Sequence, residues 1–141
     1  MGIWGGMEDA EVRAHEIAMA SSIREIVSQL VHALGATMVA ALGGVSETRA
    51  VKQWMTDREP QRQNTLRFAL QLAWIIGEKS DRDTARAWFQ GVNPYLHDAV
   101  PLLLLRERPL IEVQGPLMSA ARAFPRKSQL VSLDLKTHTQ K

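Results

Sequence analysis

An all-α fold follows from three features of this 141-residue chain. Apolar residues recur at spacings of three and four through several segments, which is the period of a helix face. Helix punctuation is dense, with Gly35, Gly43-Gly44 and Gly91 as stops and Asn93-Pro94 and Val100-Pro101 as starts. Only Leu130–Lys136 alternates with period two, and weakly, so almost nothing favours a strand.

Taken in order, residues 1–7 are glycine-rich and expected to be loose. Helical patterning runs from about Glu8 to Ala33. Met19, Ile23, Ile26, Val27, Leu30, Val31 and Leu34 form its apolar stripe, and Glu8–Ala20 is its weaker half. A short helix over Thr37–Leu42 is followed by Gly43-Gly44, whose backbone freedom suits a tight turn. Ser46 is the expected N-cap of a third helix, Glu47–Thr56, with Val51 and Trp54 facing inward. Asp57-Arg58-Glu59-Pro60 breaks it.

A fourth helix over Gln61–Glu78 is apolar on so much of its circumference that it is expected to be central. Ser80 or Asp81 caps a fifth, Arg82–Gln90. Short helices start at Pro94 and Pro101, and Pro109–Phe124 reads as a helix that Gly115-Pro116 should kink or split. The organisation expected is an extension over 1–20, a DNA-binding region over 21–60, a partner-binding region over 61–124 and a basic, flexible tail over 125–141.

A hydrophobic content of 45% supports a packed interior and argues against global disorder. The absence of cysteine excludes disulfides and thiolate metal sites. The acidic N-terminus does not resemble a secretory signal, and Ala99–Leu105 is too short to span a bilayer. The expectation is therefore a cytoplasmic protein without membrane association. The net charge of +2 is unevenly spread. Residues 46–67 carry Arg49, Lys52, Arg58, Arg62 and Arg67 against Glu47, Asp57 and Glu59, a balance that suits an anionic partner.

Ala40–Trp54 reads as a helix-turn-helix. Ala40 or Ala41 suits the crossing, Gly43 or Gly44 the turn, and Val51 and Trp54 the anchor. The outward face offers Ser46, Glu47, Thr48, Arg49, Lys52 and Gln53 as DNA-contacting candidates. Arg pairs with guanine and Gln with adenine in the major groove, while Arg58 and Arg62 are placed to grip phosphates. The alternative is an αα-hairpin with a solvated charged face.

From Gly35 onward the chain resembles the Xre/MbcA/ParS family of bacterial antitoxins. The resemblance rests on Gly44-Val45-Ser46, Val51 and Trp54, then on Pro60, Asn64, Leu66 and Ala69. Its most specific part is Ala87-Trp88-Phe89, Asn93-Pro94-Tyr95-Leu96 and Pro101-Leu102-Leu103-Leu104. It covers roughly residues 35–124. Three departures stand out. The Gly44-to-Trp54 spacing is about one residue longer than in the commonest Xre proteins, Arg106–Pro109 replaces a glycine turn, and Gly115-Pro116 interrupts the last helix.

The resemblance implies a non-enzymatic protein without a cofactor. It implies a helix-turn-helix followed by a small toxin-binding domain, and a RES-domain, NAD-consuming toxin as partner. It also implies repression of the protein's own operon by binding double-stranded operator DNA as a dimer or larger assembly. Trp88, Asn93, Pro94, Tyr95, Leu96, Pro101 and Leu104 are the corresponding partner-binding candidates. A stand-alone helix-turn-helix regulator of phage-related type, without a toxin partner, is the alternative, and a purely protein-binding helical module is a third.

No metal or catalytic site is expected. The four histidines are scattered, and the position four after His15 is Met19, so no zinc-protease motif forms. Asp81 and Asp83 are read as a helix N-terminus rather than an acid pair.

Overall fold

The structure, a computed structural model, describes residues 9–125. The expectations for residues 1–7 and for the tail beyond Pro125 lie outside it. The described chain is all-α. Its helices are α1 (Asp9–Ala20), α2 (Ile23–Leu34), α3 (Ala36–Leu42), α4 (Thr48–Trp54), α5 (Gln63–Lys79), α6 (Arg82–Gln90), α7 (Pro101–Glu107) and α8 (Leu110–Ala123). A single 3₁₀ turn, Pro94–Leu96, lies between α6 and α7. The only pairing of strand type among the described residues is an isolated bridge between Asn93 and Ala99.

Helix α5 is the axis. Its sequence alternates apolar and small residues around most of its circumference, so it can bury nearly all of it. Helices α1, α2, α3, α6 and α8 all pack on it. One continuous core runs from Ala14 in α1 to Ala121 in α8, crossing residue 60 without a break.

The long expected run from Glu8 is two helices, because Ser22 interrupts it. Its hydroxyl accepts the Glu25 backbone N–H at 3.2 Å. The Ser-x-x-Glu spacing is that of a capping box, a start signal written in the sequence. The break also relocates Met19, which leaves the apolar stripe and is 65% exposed. The inner face of α1 is Glu11, Ala14 and Ala18, small enough for close approach apart from the glutamate. Buried Glu11 accepts from Arg122 Nε at 2.7 Å and ties α1 to the end of α8.

Three further boundaries differ from expectation. Helix α4 is capped by Glu47 rather than Ser46, without a side-chain hydrogen bond. It ends at Trp54, ahead of Thr56, because the Thr56, Asp57 and Arg58 backbone N–H groups all turn back onto the Gln53 carbonyl. Helix α5 starts two residues late, at Gln63, behind a buried Pro60.

Helix α8 is not split. It runs through Gly115-Pro116, both of which face solvent. The carbonyl that Pro116 cannot serve is therefore open to water. Val113 and Leu117 anchor the helix in the core on either side of the proline. Of the two residues expected as candidates, Asp81 rather than Ser80 caps α6, its carboxylate accepting from the Thr84 N–H at 2.8 Å.

Two tests follow. Arg122→Met leaves the Glu11 carboxylate buried without its cation and should cost about 1–3 kcal/mol in urea unfolding. Glu11→Gln keeps an acceptor for Arg122 and should cost less than half as much. Equal losses would mean that the pair adds nothing specific. Gly43→Ala, which drives a methyl into the Trp54 ring, should cost about 1–3 kcal/mol by overpacking. Unchanged stability would show that Trp54 can move aside.

Candidate nucleic-acid interface

The turn between α3 and α4 is a Schellman motif. Gly44 takes a left-handed conformation, with φ of 81°. The Val45 N–H bonds to the Ala40 carbonyl at 3.0 Å and the Gly44 N–H to Ala41 at 3.1 Å. The two glycines do different work. Gly44 supplies the positive φ. Gly43 supplies space, because the Trp54 indole lies where a Cβ would be. Seated there, Trp54 with buried Val51 fixes the inner face of α4 against α3 and α2.

The opposite face is polar. Ser46, Glu47, Thr48, Arg49 and Lys52 are exposed, and Gln53 is half-buried. Thr48 and Lys52 stand one turn apart, as do Arg49 and Gln53. Arg49 Nη2 lies 3.8 Å from Glu47 Oε2 in a well-exposed pair. Such a pair is screened and weak, so Arg49 is readily released to another anion. The Lys52 and Arg58 side chains are exposed and hold no hydrogen bond or ion pair within the described residues.

Arg62 differs from the other candidates. Its guanidinium lies across Gly44, where an added Cβ would meet Nε at 2.8 Å. Its Nη1 donates to the Arg106 carbonyl at 2.7 Å. It is thus part of the scaffold behind the turn, whereas Arg58 stays available to solvent. Arg106 was not singled out from the sequence. Its Nη1 donates to the carbonyls of Ala41 at 3.0 Å and Val45 at 3.2 Å, one on each side of the glycine pair. No local signal marks a contact between residues this far apart in the chain.

The candidates from the downstream signature divide in two. Trp88, Asn93, Leu96 and Pro101 are buried, and Leu104 is half-buried. Trp88 packs edge-on to Phe89, with ring centroids 5.2 Å apart. Asn93 is a cap, its side-chain oxygen accepting the Tyr95 N–H at 2.9 Å. Pro94 and Tyr95 are exposed, Tyr95 by 70%. They sit on a loop pinned by the Asn93–Ala99 bridge, with His97 and Asp98 both at positive φ. Val92, 69% exposed beside them, was missed. The sequence hint was an isolated aliphatic residue between a helix stop and a helix start.

No helix among the described residues is long and apolar enough to cross a membrane. Likewise, no group of three or more His, Asp or Glu side chains among them is placed to hold a metal ion. No protein-family model, curated protein or solved structure matches the chain.

Proposed function

We propose that this protein is a DNA-binding repressor that also acts as the antitoxin of a RES-domain toxin, with α3 and α4 serving as a helix-turn-helix. The observation that carries the DNA reading is the two-sided character of α4. Trp54 and Val51 lock one face onto the scaffold, and Thr48, Arg49 and Lys52 stand clear on the other. Such a helix can enter a major groove with Arg49 directed at base edges, while Lys52 and Arg58 serve phosphates. A dimer or larger assembly would place two such helices on an operator.

The antitoxin half rests on the resemblance of the Trp88–Leu104 string to the Xre/MbcA/ParS family. Its contact surface would be the exposed Val92, Pro94 and Tyr95 with the accessible part of Leu104. One observation favours the stand-alone regulator instead. Trp88, Asn93, Leu96 and Pro101 are all committed to the protein's own interior, which accounts for the string without a toxin.

The test is binding to the DNA upstream of the protein's own gene, read by fluorescence anisotropy. Lys52→Gln with Arg58→Gln should weaken binding alike on operator and mixed DNA. It should also flatten the log K against log salt slope by roughly 2, since each phosphate contact contributes about 0.9. Arg49→Ala should cost about 1–3 kcal/mol on the operator and little on mixed DNA. Equal loss on every sequence would remove Arg49 from base reading.

For the partner, the product of the neighbouring gene should co-purify with this protein. Tyr95→Ala should then weaken the complex by about 2 kcal/mol or more, as removal of a central aromatic anchor does. Operator binding without any such complex would leave the stand-alone regulator.

A further inference from the structure

We propose that Arg106, braced by Arg62, is a positioning residue for DNA recognition. It would set the angle of α4 from the far end of the chain without touching DNA. The inference rests on the DNA reading of α4 and names what gives that helix its specificity.

Helix α4 has 7 residues and no side-chain N-cap, so it cannot hold its own shape or direction. Its link to α3 is a pair of glycines, the residues with the greatest backbone freedom. The Schellman bonds, Val45 N–H to Ala40 and Gly44 N–H to Ala41, close the turn through backbone alone. Arg106 adds a second restraint, a side chain that reaches the turn from α7. One nitrogen, Nη1, bonds to Ala41 before the glycines and to Val45 after them, stapling the two ends of the turn together. Both bonds are partly buried, so water competes less for the carbonyls.

Arg62 completes the clasp. It donates to the Arg106 carbonyl, which is at the C-terminus of α7, and its side chain lies against Gly44. The exit of the turn is thereby fixed to α7 rather than to α3 alone. Paired hydrogen bonds to a base edge need accurate placement, whereas phosphate contacts through long flexible side chains adapt. Loosening the clasp should therefore reduce specificity and spare non-specific affinity.

The experiment compares Arg106→Met, Arg106→Lys and Arg62→Met with the unmodified protein, on operator and on mixed-sequence DNA across a salt series. Arg108→Met is the charge control. That residue is exposed at the same end of α7, and among the described residues its side chain pairs with Glu112 alone. Arg106→Met should lower operator affinity tenfold or more, with mixed-DNA affinity and salt slope unchanged. Arg106→Lys should recover most of the loss, because an ammonium can bridge two carbonyls, as Lys79 does with Ala121 and Arg122. Arg62→Met should give a smaller loss of the same kind, and Arg108→Met none.

Unchanged operator affinity in Arg106→Met overturns the inference alone. So does an equal loss on both DNAs with a shallower salt slope, which would mean that Arg106 meets phosphate itself. Should Arg106→Met fail to fold, Arg106→Lys and Arg62→Met decide. Wild-type specificity in Arg62→Met, or a collapse of specificity in Arg106→Lys, overturns the inference. No operator binding by the unmodified protein overturns the DNA reading, and this inference with it.

Discussion

The fold depends on cations that close the C-termini of helices other than their own. The last carbonyls of a helix have no partner within it and carry the negative end of the helix dipole. In this protein Arg67 serves the end of α1, through the carbonyls of Ala18 and Ser21. Arg82 and Arg86 serve α2 through His32 and Ala33. Arg106 serves α3, Arg62 serves α7 and Lys79 serves α8. Every donor comes from a distant part of the chain, and most lie on α5 and α6 or just before them. These bonds tie the ends of α1, α2, α3, α7 and α8 to the elements that supply the donors, a restraint that non-directional apolar packing does not provide.

That use of charge changes how the basic residues are read. Arg62 and Arg67 belong by sequence to the basic middle, yet both donate to backbone carbonyls of the protein itself, Arg62 at the surface and Arg67 partly buried. Arg122 is held by Glu11. What remains outward around α4 is Arg49, Lys52 and Arg58, set among Glu47, Asp57 and Glu59. The field of such a surface is weak, because the two signs are interspersed. Under the DNA-binding proposal, recognition would have to come from accurate placement of a few side chains rather than from a broad positive field.

The candidate site has the same logic at smaller scale. Trp54 on Gly43 fixes one face of α4, and the glycine pair frees the chain to bring α4 across α3. The turn and its anchor are local, and both can be read from Gly43-Gly44, Val51 and Trp54. Arg62 illustrates the limit, because nothing in Glu59-Pro60-Gln61-Arg62 says that its guanidinium folds back over Gly44. The downstream string is similar. Asn93-Pro94 announces a helix start correctly, but which of Trp88, Tyr95, Leu96 and Pro101 face inward depends on where α8 and α5 pass.

By itself the sequence determined the helical class, the central role of α5, the caps at Asp81 and Asn93 and the inward pair Val51 and Trp54. These are set by periodicity and by side chains acting on backbone within four residues. The sequence also carried the break at Ser22, in its Ser-x-x-Glu box, although the continuous apolar stripe masked it. Tertiary structure alone decided that α1 is an integral layer, that α8 continues through Pro116, and that Arg106 reaches the turn beneath α4. Each of these depends on groups far apart in sequence meeting in space: α1 against α5, Val113 and Leu117 in the shared core, and a guanidinium between two carbonyls.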